Sequence, residues 1–99
     1  MHIRLEWDPA KAAGNLLKHR VAFDDAILVF SDPFALTTQD RIEGVERRWQ
    51  TLGLAGGCLV LLVGHTVDAD DEDGAEVIRI ISARVADRKE RRRYEEQAR

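Results

Sequence analysis

The sequence predicts an α+β fold: an antiparallel β-sheet of about four to five strands, two N-terminal helices and one C-terminal helix. Three observations predict it. The stretch from residue 34 to residue 82 is a series of short alternating or continuous apolar runs separated by turn residues. Segments with helical spacing and capping residues lie at the two ends, over 10–30 and 87–97. No Gly/Pro/Ser-rich linker and no internal repeat divides the 99 residues, so one domain over 1–99, with one modest core, is expected.

Residues 2–7 alternate as a short strand with Ile3, Leu5 and Trp7 on one face. Asp8 then offers a cap and Pro9 suits the first helical position, which starts a helix over 10–19. Its expected apolar stripe is Ala13, Leu16 and Leu17, weakened slightly by Gly14, and Lys18 and His19 face the negative end of the helix dipole. A second helix is expected over 23–30, with Asp24 or Asp25 in its first turn and Ala26, Ile27, Val29 and Phe30 buried; Ser31-Asp32-Pro33 ends it. Residues 34–38 read as a strand, 39–44 as a polar connection and 47–54 as an alternating strand. Gly56-Gly57 marks a tight turn. The run 58–65 is nearly continuously apolar, as a central strand would be, and 76–82 is a further strand. Asp87 with Glu90 starts the last helix, 87–97, in the manner of a capping box.

Hydrophobic residues make up 44% and charged residues 33%, a globular and not a disordered composition. Cys58 is the sole cysteine, which rules out a disulfide within the chain and reads as a small buried hydrophobe in a reducing compartment. The first residues lack a signal-peptide pattern, and the longest apolar run, 59–63, is too short to span a bilayer, so a cytoplasmic protein is expected. Net charge is −3, but it is unevenly placed: six acids and no base over 68–76, seven bases and four acids over 84–99. Local patches of this kind steer ligands more than totals do.

The run Glu6-Trp7-Asp8-Pro9-Ala10-Lys11-Ala12 with Asn15-Leu16 and Lys18-His19, then Val21-Ala22-Phe23-Asp24-Asp25-Ala26 and Phe30-Ser31-Asp32-Pro33, resembles the first half of BrnT-type toxins. Glu46-Arg47-Arg48-Trp49, Leu52-Gly53 and Val63-Gly64-His65-Thr66 resemble the middle. The most specific piece is Ile78-Arg79-Ile80-Ile81-Ser82-Ala83-Arg84, followed by Arg88 and Glu90-Arg91-Arg92-Arg93-Tyr94-Glu95. The acidic segment 68–76 departs from the family's short polar turn. The resemblance implies a RelE-like toxin fold, an endoribonuclease that blocks translation, and a BrnA-like antitoxin that neutralises it and binds DNA on behalf of the complex.

Metal-independent RNA cleavage needs a base for the 2′-hydroxyl, positive charge for the phosphorane and an acid for the leaving 5′-oxygen. His65, at the end of the central strand, is of a type that can serve as base or acid. Arg79 sits mid-strand between isoleucines and Arg84 closes the same region; both can grip phosphate. Arg84, Arg88 and Arg92 are spaced by four, and Arg91 and Tyr94 by three, so the last helix offers further cations and a tyrosine able to stack on a base or give a proton. In RelE-like enzymes, sheet arginines and a late tyrosine play such parts. The candidate set is therefore His65, Arg79, Arg84 and Tyr94 for catalysis and Lys18, Arg47, Arg88 and Arg91 for RNA contact, with no metal or cofactor expected.

Each has a structural alternative. His65 can simply bond a backbone group, Arg79 can project from a solvated face, the helix arginines can pair with Glu90 and Glu95, and Tyr94 can pack its helix onto the sheet. Two other functions remain open: an inactive partner-binding module of the same regulatory pair, and a direct nucleic-acid-binding regulator, which the net charge and the absence of a reading helix disfavour.

Overall fold

A cap, a buried asparagine and a parallel edge strand decide how the N-terminal third joins the rest. The computed structural model describes residues 2–43, 46–57 and 59–98, so the expectation for Cys58 lies outside the described residues. The elements are β1 (Ile3–Trp7), α1 (Pro9–His19), α2 (Phe23–Ala26), a 3₁₀ turn (Ile27–Ser31), β2 (Leu36–Glu43), β3 (Glu46–Ala55), β4 (Leu59–Ala69), β5 (Glu76–Val85) and α3 (Arg88–Gln97). Asp8 caps α1 by accepting the Ala10 N–H at 2.8 Å, with Pro9 in its first turn.

The five strands form one sheet in the order β1-β5-β4-β3-β2. The strands β2 to β5 make an antiparallel meander, but β1 pairs parallel to β5, from Ile3 with Glu76 to Trp7 with Ile80. The sheet is therefore mixed, which corrects the antiparallel expectation at one edge. Periodicity marks β1 as a strand but does not say which edge it joins or in which direction. That choice follows from α1, which follows β1 directly and docks beside β5 past the end of their pairing.

The docking group is Asn15. Its amide donates to the carbonyls of Val21 (2.9 Å) and Ala83 (2.8 Å), and its oxygen accepts the Ala83 N–H at 3.0 Å. The backbone of β5 at Ala83, which β1 no longer reaches, is satisfied this way. The inner face of α1 is thus Asn15, 7% exposed, with half-buried Ala12, while Leu16 and Leu17 point outward, Leu17 with 82% of its surface exposed. This reverses the expected leucine stripe.

Two cores flank the sheet. Val21, Phe23, Ala26, Val29, Leu61, Val63, Ile80 and Ala83 pack under α1 and α2, and Leu52, Val60, Leu62, Ala86 and Tyr94 pack under α3. The expected second helix tightens after one turn into a 3₁₀ segment, in which Val29 presses onto β3. A Cβ on Gly53 would lie 2.7 Å from the Val29 Cβ, so glycine is required at that crossing. Residues 39–43, expected as connection, continue β2, with a bulge between Gln39 and Arg41. The acidic segment is the tip of the β4–β5 hairpin, tied to β1 by Arg4, whose guanidinium meets Asp70 at 2.7 Å and Asp73 at 3.3 Å. No helix among the described residues is long and apolar enough to cross a membrane.

Candidate active site

A bulge in β5 creates the open surface. Gly64 pairs with Ser82 but the next residue, His65, pairs with Ile80, which leaves Ile81 without an opposite residue. Ile80 and Ala83, three residues apart, consequently both face the first core, and Ser82 and Arg84 face the other side with Leu62 and Gly64. There the sheet forms a depression of about 220 Å³ lined by Arg48, Gln50, Gly64, Ser82 and Arg84, with His19 of α1 and Asp40 of β2 on its border. A Cβ at position 64 would come within 2.6 Å of the Ser82 Oγ, so any side chain there would have to push the serine hydroxyl aside.

Arg84 is held in place. Its two terminal nitrogens donate to the two carboxylate oxygens of Glu90, each at 2.8 Å. Glu90 in turn accepts the Asp87 N–H at 2.9 Å, completing the capping box of α3. The hydrogen bond from Arg84 holds Glu90 below the usual carboxylate range, with Arg93, one helical turn on, adding to it. The same pairing raises Arg84 above its ordinary value. Arg84 lies in β5 and not on the last helix, so the expected Arg84–Arg88–Arg92 helical face is not formed. Arg88 and Arg91 are exposed on α3, about 160° and 100° round the helix from Glu90.

The other candidates are placed elsewhere. Arg79 lies on the same sheet face but roughly 15 Å along β5, where it meets Glu6 of β1 at 3.4 Å. Lys18 is exposed on α1 and lines a second hollow beside Ser82. Arg47 is exposed next to Arg48 on β3, which directs it to the opposite face. Tyr94 is buried in the second core with its hydroxyl donating to Asp32 at 2.5 Å. Burial and Asp32 push the phenol up to about 12. Burial works against ionising Asp32, but Tyr94 and the Leu54 and Phe34 N–H groups together hold its carboxyl below the usual range. Asp32 thus joins α3, β3 and the turn before β2, a role its position in Ser31-Asp32-Pro33 conceals. Tyr94→Phe is expected to cost about 2 kcal/mol of stability, read as a lowered urea-unfolding midpoint.

His65, 2% exposed, borders the depression from within the sheet. Its ring meets Phe30 edge-on at 5.1 Å. The Nδ1 donates to the Thr66 carbonyl at 3.2 Å, so the neutral ring accepts at Nε2 from the Thr51 hydroxyl at 2.7 Å, which in turn meets the Thr37 hydroxyl at 2.8 Å. Burial pushes the imidazole below its ordinary 6.5, only partly offset by the bond to Thr66. The unfolded chain therefore takes up a proton near pH 6.5 that the folded chain refuses. Stability is full above that pH and falls as pH drops toward the lower folded value. The urea midpoint should decline between pH 7 and 5, and less steeply in His65→Asn.

The depression thus brings together two expected catalytic residues, Arg84 and, from within the sheet, the buried His65, with four polar residues that sequence reasoning did not select: Arg48, Gln50, Ser82 and Asp40. His19 joins them, although the helix dipole alone accounts for it on the sequence. Residues 7–90 match the family described as ribonuclease toxin, BrnT, of type II toxin–antitoxin system. Among solved structures, the crystal structure of the Brucella abortus ribonuclease toxin BrnT is similar, with a TM-score of 0.57 at 21% identity, over 89% of this chain and 100% of that one. That likeness carries the fold. No curated protein sequence matches the chain.

Proposed function

The chain belongs to the BrnT family of ribonuclease toxins of type II toxin–antitoxin systems, and from that premise we propose that it is a cytoplasmic, metal-independent endoribonuclease whose active site is the Arg48–Arg84 depression. A toxin of this class has a protein antitoxin as its partner; the proposed partner is BrnA-like, covering or distorting this surface, and the proposed substrate is messenger RNA, whose cutting stops translation. The general plan, an antiparallel meander with helices on both faces, also fits a RelE-like toxin.

The observation that carries the site is the pairing of a fixed guanidinium with an open polar floor. Arg84 spends two donors on Glu90 and one, at 3.4 Å, on the Val85 carbonyl, and is thereby pre-oriented; its remaining donors can reach a phosphate in the depression, which Arg48 also lines. In the reaction, the 2′-oxygen of the substrate attacks phosphorus and the bond to the 5′-oxygen breaks. One proton leaves the 2′-hydroxyl and one reaches the departing 5′-oxygen, so the products are a 2′,3′-cyclic phosphate and a 5′-hydroxyl. His19 and Asp40 border the depression and are of the types that move such protons. The two arginines stabilise charge on the phosphorane. The donor set supports a metal-independent route: guanidiniums occupy the place where a two-metal route uses paired carboxylates. In this arrangement Tyr94 and His65 build the scaffold beneath the site, and Arg79 is compensated by Glu6.

The test is incubation of labelled single-stranded RNA with the purified protein in excess EDTA, with analysis of the new ends. Cleavage yielding cyclic phosphate and 5′-hydroxyl ends is expected. Cleavage that needs added Mg²⁺ and leaves 5′-phosphates would contradict the mechanism, and no cleavage by the folded protein, with or without ribosomes, would favour the inactive partner-binding module.

A further inference from the structure

The depression does not end at Ser82. A second hollow of about 230 Å³ begins there, sharing His19, Ile81 and Ser82 with the first, and is lined on α1 by Lys11, Gly14, Asn15 and Lys18. We infer that the two hollows form one groove for a single-stranded RNA, with the Lys11–Lys18 face of α1 as a subsite that binds phosphates flanking the one held at Arg84. This rests on the ribonuclease reading and adds where the rest of the substrate lies.

Two features support it. Lys11 and Lys18 are two helical turns apart, so they stand on one face about 10 Å from each other along the axis, with Gly14 between them. A Cβ at Gly14 would meet nothing within 4 Å, so the helix surface there is low and open. The face is also fixed relative to the depression, because Asn15, in the middle of the lysine pair, accepts from the N–H and donates to the carbonyl of Ala83, one residue from Ser82 and one from Arg84. Lys11 and Lys18 contribute charge without base readout, so this subsite gives affinity and salt dependence and no sequence preference.

The experiment compares wild type, Lys11→Gln/Lys18→Gln and Arg84→Gln. It uses a fully 2′-O-methylated oligoribonucleotide, which lacks the attacking hydroxyl, for binding, and ordinary RNA for cleavage. The double lysine variant should bind more weakly, with the slope of log affinity against log salt reduced by about 1.4 for two lost phosphate contacts, and with KM raised while kcat holds. An unchanged slope and affinity in the lysine variant, with affinity lost in Arg84→Gln, would overturn the extended groove and leave the ribonuclease site standing. Failure of the wild type to bind the oligonucleotide at all would overturn both. Loss of antitoxin binding without change in RNA binding would assign the lysine face to the protein partner and overturn the inference.

Discussion

Arg84→Ala should lower the rate of RNA cleavage by a factor on the order of 10² to 10³ while the protein stays folded. The magnitude follows from removing one pre-oriented charged donor from a phosphorane. The fold should survive because Glu90 keeps its bond to the Asp87 N–H, so the start of α3 remains capped. The Arg84–Glu90 pair is partly open to solvent, with side-chain exposures of 39% and 15%, and its loss should cost only about 1 kcal/mol. Arg84→Lys separates charge from geometry. A lysine keeps the positive charge but cannot span both oxygens of Glu90, so its ammonium is not held over the floor formed by Gly64 and Ser82. It should therefore recover only part of the rate. Circular dichroism and a urea midpoint on each variant check the stability side, and cleavage in EDTA checks the other.

Asn15→Ala should be the most damaging single truncation for stability, at about 3–5 kcal/mol, because it strips hydrogen bonds from three buried backbone groups at once. The Val21 carbonyl and both polar groups of the Ala83 peptide lose their partner, and water has little access to replace it. A loss of that size is a large share of what a domain of this length has in total. Asn15→Asp should not rescue it. An aspartate accepts from the Ala83 N–H but cannot donate to either carbonyl, and it brings an unpaired charge into a buried position. The urea midpoint reads this directly. An Asn15→Ala variant as stable as the wild type would mean that α1 is held by its apolar contacts instead.

The elements were legible where local chemistry decides them. Asp8 with Pro9, Asp87 with Glu90 and Gly56-Gly57 fix their caps and turn through their own side chains and φ angles, and Gly56 and Gly57 adopt φ of 65° and 108°. The family was legible because its motifs are spread along nearly the whole chain. What stayed hidden was non-local. The bulge at Ile81 turns Arg84 to the face of the depression, and the parallel register of β1 puts Arg79 beside Glu6; alternation alone carries no sign of either. The outward leucines of α1 were misleading because the helix docks through a polar side chain, contrary to the rule that the apolar stripe faces inward. Asp40 and Gln50 gave no signal at all, since polar residues on adjacent strands become a site only when register aligns them.

The most direct test sets Arg84→Gln beside Arg79→Gln in single-turnover cleavage of one labelled RNA in EDTA. Both remove a charge from the same strand and the same sheet face. Only Arg84 borders the depression with Arg48, Ser82 and His19. A rate reduced on the order of 100-fold in Arg84→Gln, with Arg79→Gln near the wild-type rate, is the predicted result. Loss of cleavage in Arg79→Gln with full activity in Arg84→Gln would place the active site at the β1–β5 edge and contradict the account.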